Sequence, residues 1–255
     1  MLREDAPPRQ KSWVGPTYRV TIIMLVIGQI QVSVAMEISP LKEFFGERYY
    51  LSLVQFVISF LSIQLYGFFY HIIAKKPMWV RVLAGLWTYE VNTLSIMKPA
   101  KRAPYISLIL SIFLTFLMMI ISVIYGNKAV KHHKGLFTSR HKVILWSERI
   151  FVLTCFGIIV CAEMKRVIIE FPTLLVYTIL SSLFVIVFAA SMRRPNFYRQ
   201  ESEADYILIG QLYYLNCFAL YMGYVWTTAS FIELMEWNAD IHEIFVYLFY
   251  RKDIE

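Results

Sequence analysis

The sequence predicts an all-α membrane protein built as a seven-transmembrane-helix bundle. Two observations predict it. The first is composition: of 255 residues, 58% are hydrophobic, 16% aromatic and 17% charged, against about 45–50% apolar and about 25% charged in ordinary soluble domains. The second is distribution: the apolar excess is gathered into runs of about 20 residues, the length a helix needs to cross a hydrocarbon core of about 30 Å. Clusters of Lys, Arg, Asp and Glu separate the runs. A soluble globular enzyme, a disordered chain and a disulfide scaffold are excluded together.

Taken in order, residues 1–17 are a polar tail with Arg3, Arg9 and Lys11 beside Pro7 and Pro8. They carry no apolar periodicity and read as disordered. Apolar runs follow at 18–38, 49–74, 78–96, 104–125, 143–162, 171–191 and 206–233. Only helices and closed barrels span lipid, and these runs are continuous rather than alternating, so each reads as a helix. The first is longer than a signal-peptide core and lacks a cleavage site, which makes it a retained signal anchor. The third is the least regular, because Glu90 and Asn92 lie inside it. Residues 18–233 therefore form one transmembrane domain, and short connections predict antiparallel packing of sequence neighbours. In residues 234–255, Ile241, Ile244, Phe245, Leu248 and Phe249 recur at helical spacing. They predict a short amphipathic helix, either an interfacial anchor or a partner-binding tail.

The chain holds 25 Lys and Arg and 18 Asp and Glu, a net charge of +7. With the N-terminus in the cytoplasm, that side carries fifteen Lys and Arg in the loops and at the span ends and the other side nine, Arg149 being left out as inside a span. The positive-inside bias thus places the N-terminus in the cytoplasm. The same bias accounts for the net charge without nucleic acid. The basic stretch from Lys128 to Lys142, with His132, His133 and His141, reads as a patch near anionic headgroups, making membrane lipids the first partner.

Ionisable groups at membrane depth are costly and mark candidate sites. Glu90 is the clearest, with two readings: an ion or proton contact, or a protonated acid bonded to a neighbouring helix. Gln29, Gln31, Gln55 and Gln64 are uncharged amides suited to joining helices. His71, beside Lys75 and Lys76, reads as interfacial. Glu148 and Arg149 read as a local ion pair. Glu163, Glu170, Glu233 and Glu236 flank spans on the less basic side, where they would attract cations. Cys155, Cys161 and Cys217 all fall inside apolar runs, so they read as small apolar fillers. No CxxC pair, HExxH motif, intramembrane Ser–His pair or pair of aspartates occurs. The expectation is a protein that is not an enzyme and uses no cofactor or metal. A rhodopsin-type receptor would end its third span on a DRY-like triplet, and a retinal protein would carry a lysine in 206–233; neither is present.

A family resemblance emerges at the last two spans. Leu183-Phe184-Val185-Ile186-Val187-Phe188-Ala189-Ala190-Ser191 resembles the pattern LFSLFLVYD. Glu203-Ala204-Asp205-Tyr206-Ile207-Leu208 resembles EEYIL, and Leu212-Tyr213-Tyr214-Leu215-Asn216 resembles NLYLD. Upstream, Lys42-Glu43-Phe44-Phe45 is similar to VREFV, and Lys76-Pro77 with Gly85-Leu86-Trp87-Thr88 to P…GLFT. These motifs, short but in order from about Tyr18 to Ser230, resemble the transmembrane Bax-inhibitor-motif family. The resemblance implies a seven-helix bundle of Bax-inhibitor type in the endoplasmic reticulum, Golgi or other endomembranes. It also implies a role in calcium leak and protection from cell death.

In that family an aspartate late in the sixth span and one in the seventh form a pH-sensitive lock. Here the gate-equivalent positions are Ser191 and Asn216, which do not titrate. The resemblance further implies that Glu90 stands near the family's third-span acid. A chain without the couple cannot share a proton between two carboxylates, nor offer calcium the carboxylates it favours. Short, aromatic-rich and lacking the aspartates, it looks most like the divergent seven-transmembrane members of cytomegaloviruses, some implicated in the trafficking of host immune ligands. Two functions follow as expectations. One is a viral-type adaptor that binds other membrane proteins, host or viral, through helix faces with small and polar residues such as Ser181, Ser182, Gly210 and Gly223. The other is a cation (calcium) leak with Glu90 as its pore acid, lacking the di-aspartate gate.

Overall fold

A computed structural model describes residues 14–40, 43–44, 49–95, 104–132, 153–158, 160–161, 167–193 and 206–250. The helices are α1 (Val14–Glu37), α2 (Tyr49–Phe68), α3 (Tyr70–Ala74), α4 (Met78–Ser95), α5 (Tyr105–His132), α6 (Val167–Met192) and α7 (Tyr206–Tyr250). Residues 153–158 and 160–161 are also helical, and no strand occurs among the described residues. Three stretches, Val14–Glu37, Tyr105–Lys128 and Ile169–Met192, are long and apolar enough to cross a membrane. This is an all-helical membrane protein.

Proline and the breaks between helices are linked. Pro77 and Pro104 stand just before α4 and α5. Each offers a carbonyl to the first turn, with Val80 N–H donating to Pro77 at 3.0 Å and Ser107 N–H to Pro104 at 2.8 Å. Neither has an N–H to leave unpaired. The run expected as one helix over 49–74 divides at Phe69 (φ −89°, ψ 8°), and Lys75 and Lys76 close α3 by tight bonds to Ile72 and Ile73. Lys76 precedes a proline, whose ring disfavours helical backbone in the residue before it.

The core is organised around α7. Leu208, Ile209, Tyr213, Tyr214, Cys217, Leu220 and Val225 are all within 1% of complete burial. At 100° per residue they point to every side of the helix, so α7 is enclosed rather than amphipathic. Two glycines let neighbours come close. A Cβ on Gly210 would lie 2.8 Å from the Val20 side chain of α1, and one on Gly223 would lie 2.7 Å from Thr178 Oγ1 of α6. Small residues at such crossings permit the dispersion contacts that hold helices together in lipid. Outward faces are apolar instead, as at Ile23 and Ile30 of α1, Ile106 and Phe113 of α5 and Ile179 of α6, all more than half exposed.

Contacts also fix helix direction. Gly210 meets Val20 and Tyr221 meets Gln29, so α1 and α7 are parallel. Gly85 meets Gln211 and Ser95 meets Met222, so α4 is parallel to them. Ser62 pairs with Trp87 and Ser59 with Asn92, which makes α2 antiparallel to α4. Phe188 stacks on Tyr213 while Phe171 lies against Phe231, which makes α6 antiparallel to α7.

The last helix departs from expectation. The separate short helix expected beyond 233 is instead the continuation of α7, unbroken to Tyr250. No Gly or Pro occurs between Phe231 and Tyr250 to interrupt it. At 1.5 Å per residue its 45 residues extend about 68 Å, well beyond one hydrocarbon core. The amphipathic pattern from Ile241 to Phe249 thus lies on the projecting end of a core helix.

Candidate functional site

Inside the bundle, α4 turns most of its polar residues inward and most of its large apolar ones outward, Glu90 and Val91 excepted. Gly85, Thr88, Tyr89, Asn92 and Thr93 are buried, while Leu83, Leu86 and Trp87 are exposed. Asn92 is the hub. Its amide N–H₂ donates to Thr88 O at 2.5 Å, and its Oδ1 accepts from Ser59 Oγ of α2 at 2.6 Å. One turn along, Gln55 Nε2 reaches Val91 O at 2.9 Å. The central helix joins the same network. Tyr66 OH of α2 donates to Gln211 Oε1 at 2.6 Å, Ser122 of α5 meets Tyr213 OH at 2.9 Å, and Tyr221 OH donates to Gln29 Oε1 of α1. Every one of these groups is neutral. Buried polar groups must be paired, and hydroxyls and amides can be paired here without placing a charge in lipid.

The carboxylates lie elsewhere. Glu90 is exposed on α4 and accepts from Gln31 Nε2 of α1 at 2.8 Å; the same Gln31 takes a hydrogen bond from Tyr89 OH at 2.9 Å on its Oε1. Glu170, read from sequence as a flanking acid, is 2% exposed in the first turn of α6. Its Oε1 accepts from Trp226 Nε1 at 2.6 Å and Ser230 Oγ at 3.2 Å. Those donors stand one turn apart on α7. A signal was present: Glu170 lies on the same helical stripe as Leu174, Tyr177, Ser181 and Val185, all buried.

The gate-equivalent pair is not joined. Ser191 Oγ donates to Val187 O at 2.8 Å and Asn216 Nδ2 to Leu212 O at 2.9 Å, each along its own helix. Both side chains are half-buried. The α6–α7 register, which sets Phe188 beside Tyr213 and Thr178 beside Gly223, staggers the two positions by about six residues, or about 9 Å along the axis. Facing each other at one level is therefore not their geometry.

Among the other residues singled out from sequence, Gln64 is exposed and Gln55 half-buried. Cys155, Cys161 and Cys217 are buried free thiols, as expected of fillers. Among the described residues no group of three His, Cys, Asp or Glu could hold a metal ion. Residues 1–13, the stretch 133–152 with His133, His141, Glu148 and Arg149, and Lys42, Phe45, Glu163 and Glu203 to Asp205 lie outside the described residues, as do the side chains of His71 and His132. No family model matches this chain, and no curated protein and no solved structure matches it.

Proposed function

We propose that this chain is a seven-span membrane protein of Bax-inhibitor type, similar in kind to the divergent cytomegalovirus members, that binds other membrane proteins within the bilayer. In this reading it acts in host endomembranes on the trafficking of immune ligands or on cell-death pathways. The single observation that carries binding over conduction is where charge lies. The interior around α7 is closed by neutral hydroxyl and amide pairs, Glu170 is held by two α7 donors, and Glu90 faces outward. A calcium path favours several oxygen ligands with carboxylates among them, whereas a helix-binding scaffold needs a stable bundle and an accessible face.

Two features support the seven-span topology. α1, α4 and α7 share one direction and α2 and α6 the other, as spans one, three and seven must relative to two and six. Among the described residues every Lys and Arg (Arg19, Lys75, Lys76, Arg81, Lys128, Lys131 and Arg193) gathers at the end where α1, α4 and α7 begin. This supports a cytoplasmic N-terminus.

The test is to delete the protein from infected cells and measure the host surface proteome. A changed set of surface proteins is expected, and an unchanged one overturns the adaptor reading. Reconstitution into calcium-loaded vesicles tests the leak directly. The expected result is no efflux at any pH, and efflux lost in Glu90→Gln would restore the channel reading.

A further inference from the structure

We propose that the outer face of the α1–α4 seam docks a partner transmembrane helix that carries a lysine or arginine, with the Glu90 carboxylate as counter-charge. The inference rests on the partner-binding reading above and names the chemistry of the partner.

Glu90 stands out from its surroundings. One and two turns before it on the same stripe of α4 are Leu86, 50% exposed, and Leu83, 55% exposed. Across the seam, Ile27 and Val34 flank Gln31 on α1 at 52% and 54% exposure. The face is thus as apolar as a lipid-facing surface should be, apart from one carboxylate. Its depth follows from register: Thr93 lies by Tyr214 and Ser95 by Met222, which sets Glu90 near the level of Asn216, about 15 Å into the α7 span from Tyr206. An acid near mid-membrane is expensive unless paired or wet.

The carboxylate is also prepared as an acceptor. Tyr89 is buried, its ring 5.7 Å from that of Tyr214 on the central helix. Its hydroxyl donates to Gln31 Oε1, which leaves the Gln31 N–H₂ to face Glu90 Oε2. A donor fixed from the core thus points at Glu90.

Charge complementarity selects the occupant. A purely apolar helix docked here would cover the carboxylate without pairing it, whereas a basic residue supplies both charge and donors. A second copy that packs its own α1–α4 seam here in the same orientation does not supply one. Along α1 and α4 the nearest cations, Arg19 and Arg81, lie about 18 Å from Gln31 and about 13 Å from Glu90 along the helix axes. The proposed partner is a foreign helix with a cation near its middle.

The test uses full-length protein, donor-labelled, in phosphatidylcholine vesicles. The probes are acceptor-labelled Leu/Ala transmembrane peptides with a central Lys, or with Leu at that place. The Lys peptide should bind about tenfold more tightly, the size of one good intramembrane polar contact. Glu90→Gln should reduce it to the Leu level, and Gln31→Leu should remove part of the preference. Equal binding of the two peptides overturns the proposal. So does a Lys preference that survives Glu90→Gln, or self-association of the protein that blocks both peptides. An unchanged unfolding midpoint of Glu90→Gln shows that its loss of binding is not loss of fold. Should the Lys preference hold while deletion leaves the surface proteome unchanged, the adaptor reading fails and the docking site stands. Should the peptides bind equally while the proteome does change, the reverse is true.

Discussion

Glu170 and Glu90 are both carboxylates within apolar helices, yet the fold treats them oppositely. Glu170 lies on the α6 stripe that packs against α7 and is 2% exposed, with an indole N–H and a hydroxyl donating to one oxygen. Glu90 lies on the stripe of α4 that turns away from α7 and accepts from one amide at the rim of a seam. Which side of its helix an acid occupies, relative to the central one, decides whether it is a structural acceptor or an exposed charge. Depth alone does not decide it.

That contrast can be broken experimentally, and the largest effect is expected at Glu170. Replacing it with Leu strands the Trp226 and Ser230 donors in the core and should cost about 3 kcal/mol, read by thermal unfolding in detergent. Glu170→Gln should retain part of that stability, and a Leu variant as stable as the parent would remove Glu170 from the structural class. Next is the α7 packing itself. Gly210→Ala places a Cβ 2.8 Å from Val20 and should cost about 2 kcal/mol through overpacking, in the same assay. Smaller still, Ser59→Ala takes from Asn92 Oδ1 its hydroxyl donor and should cost about 1 kcal/mol. Glu90→Gln should leave the unfolding midpoint where it is while abolishing the Lys-peptide preference. The smallest effect is expected at Ser191 and Asn216: a double-mutant cycle of Ser191→Ala with Asn216→Ala should give a coupling below about 0.5 kcal/mol, because the groups bond along separate helices and sit apart. A coupling of 1 kcal/mol or more, by that measure, would restore the paired gate.

Much of the helical layout was legible in the sequence. The runs 18–38, 78–96, 104–125, 171–191 and 206–233 overlie α1, α4, α5, α6 and the first part of α7. They were readable because a long continuous run of apolar side chains states its own length. The division of 49–74 at Phe69 carried no Gly or Pro signal at that residue. The continuation of α7 past 233 was masked by a change from uniform apolarity to an amphipathic pattern, which looks like a new element although the backbone continues. The site was less legible. Glu90 and Asn92 were visible as polar residues in a span, but α4 is polar inside and apolar outside, so hydropathy alone did not say which of them faced inward.

Sequence by itself determined that this chain is helical, that its apolar residues are grouped in membrane-length segments, and that its interior acids are few. Those are properties of single segments, set by side-chain transfer energies and by the need to bond every backbone N–H within the helix. Only the tertiary structure decided that α7 is the enclosed helix, that Gly210 and Gly223 are its contact points, that Ser191 and Asn216 are staggered, and that Glu170 is sealed while Glu90 looks out. Those depend on helix rotation and register. Such choices are fixed by contacts between residues as far apart in the chain as Thr21 and Gly210, 189 positions along, which no local pattern encodes.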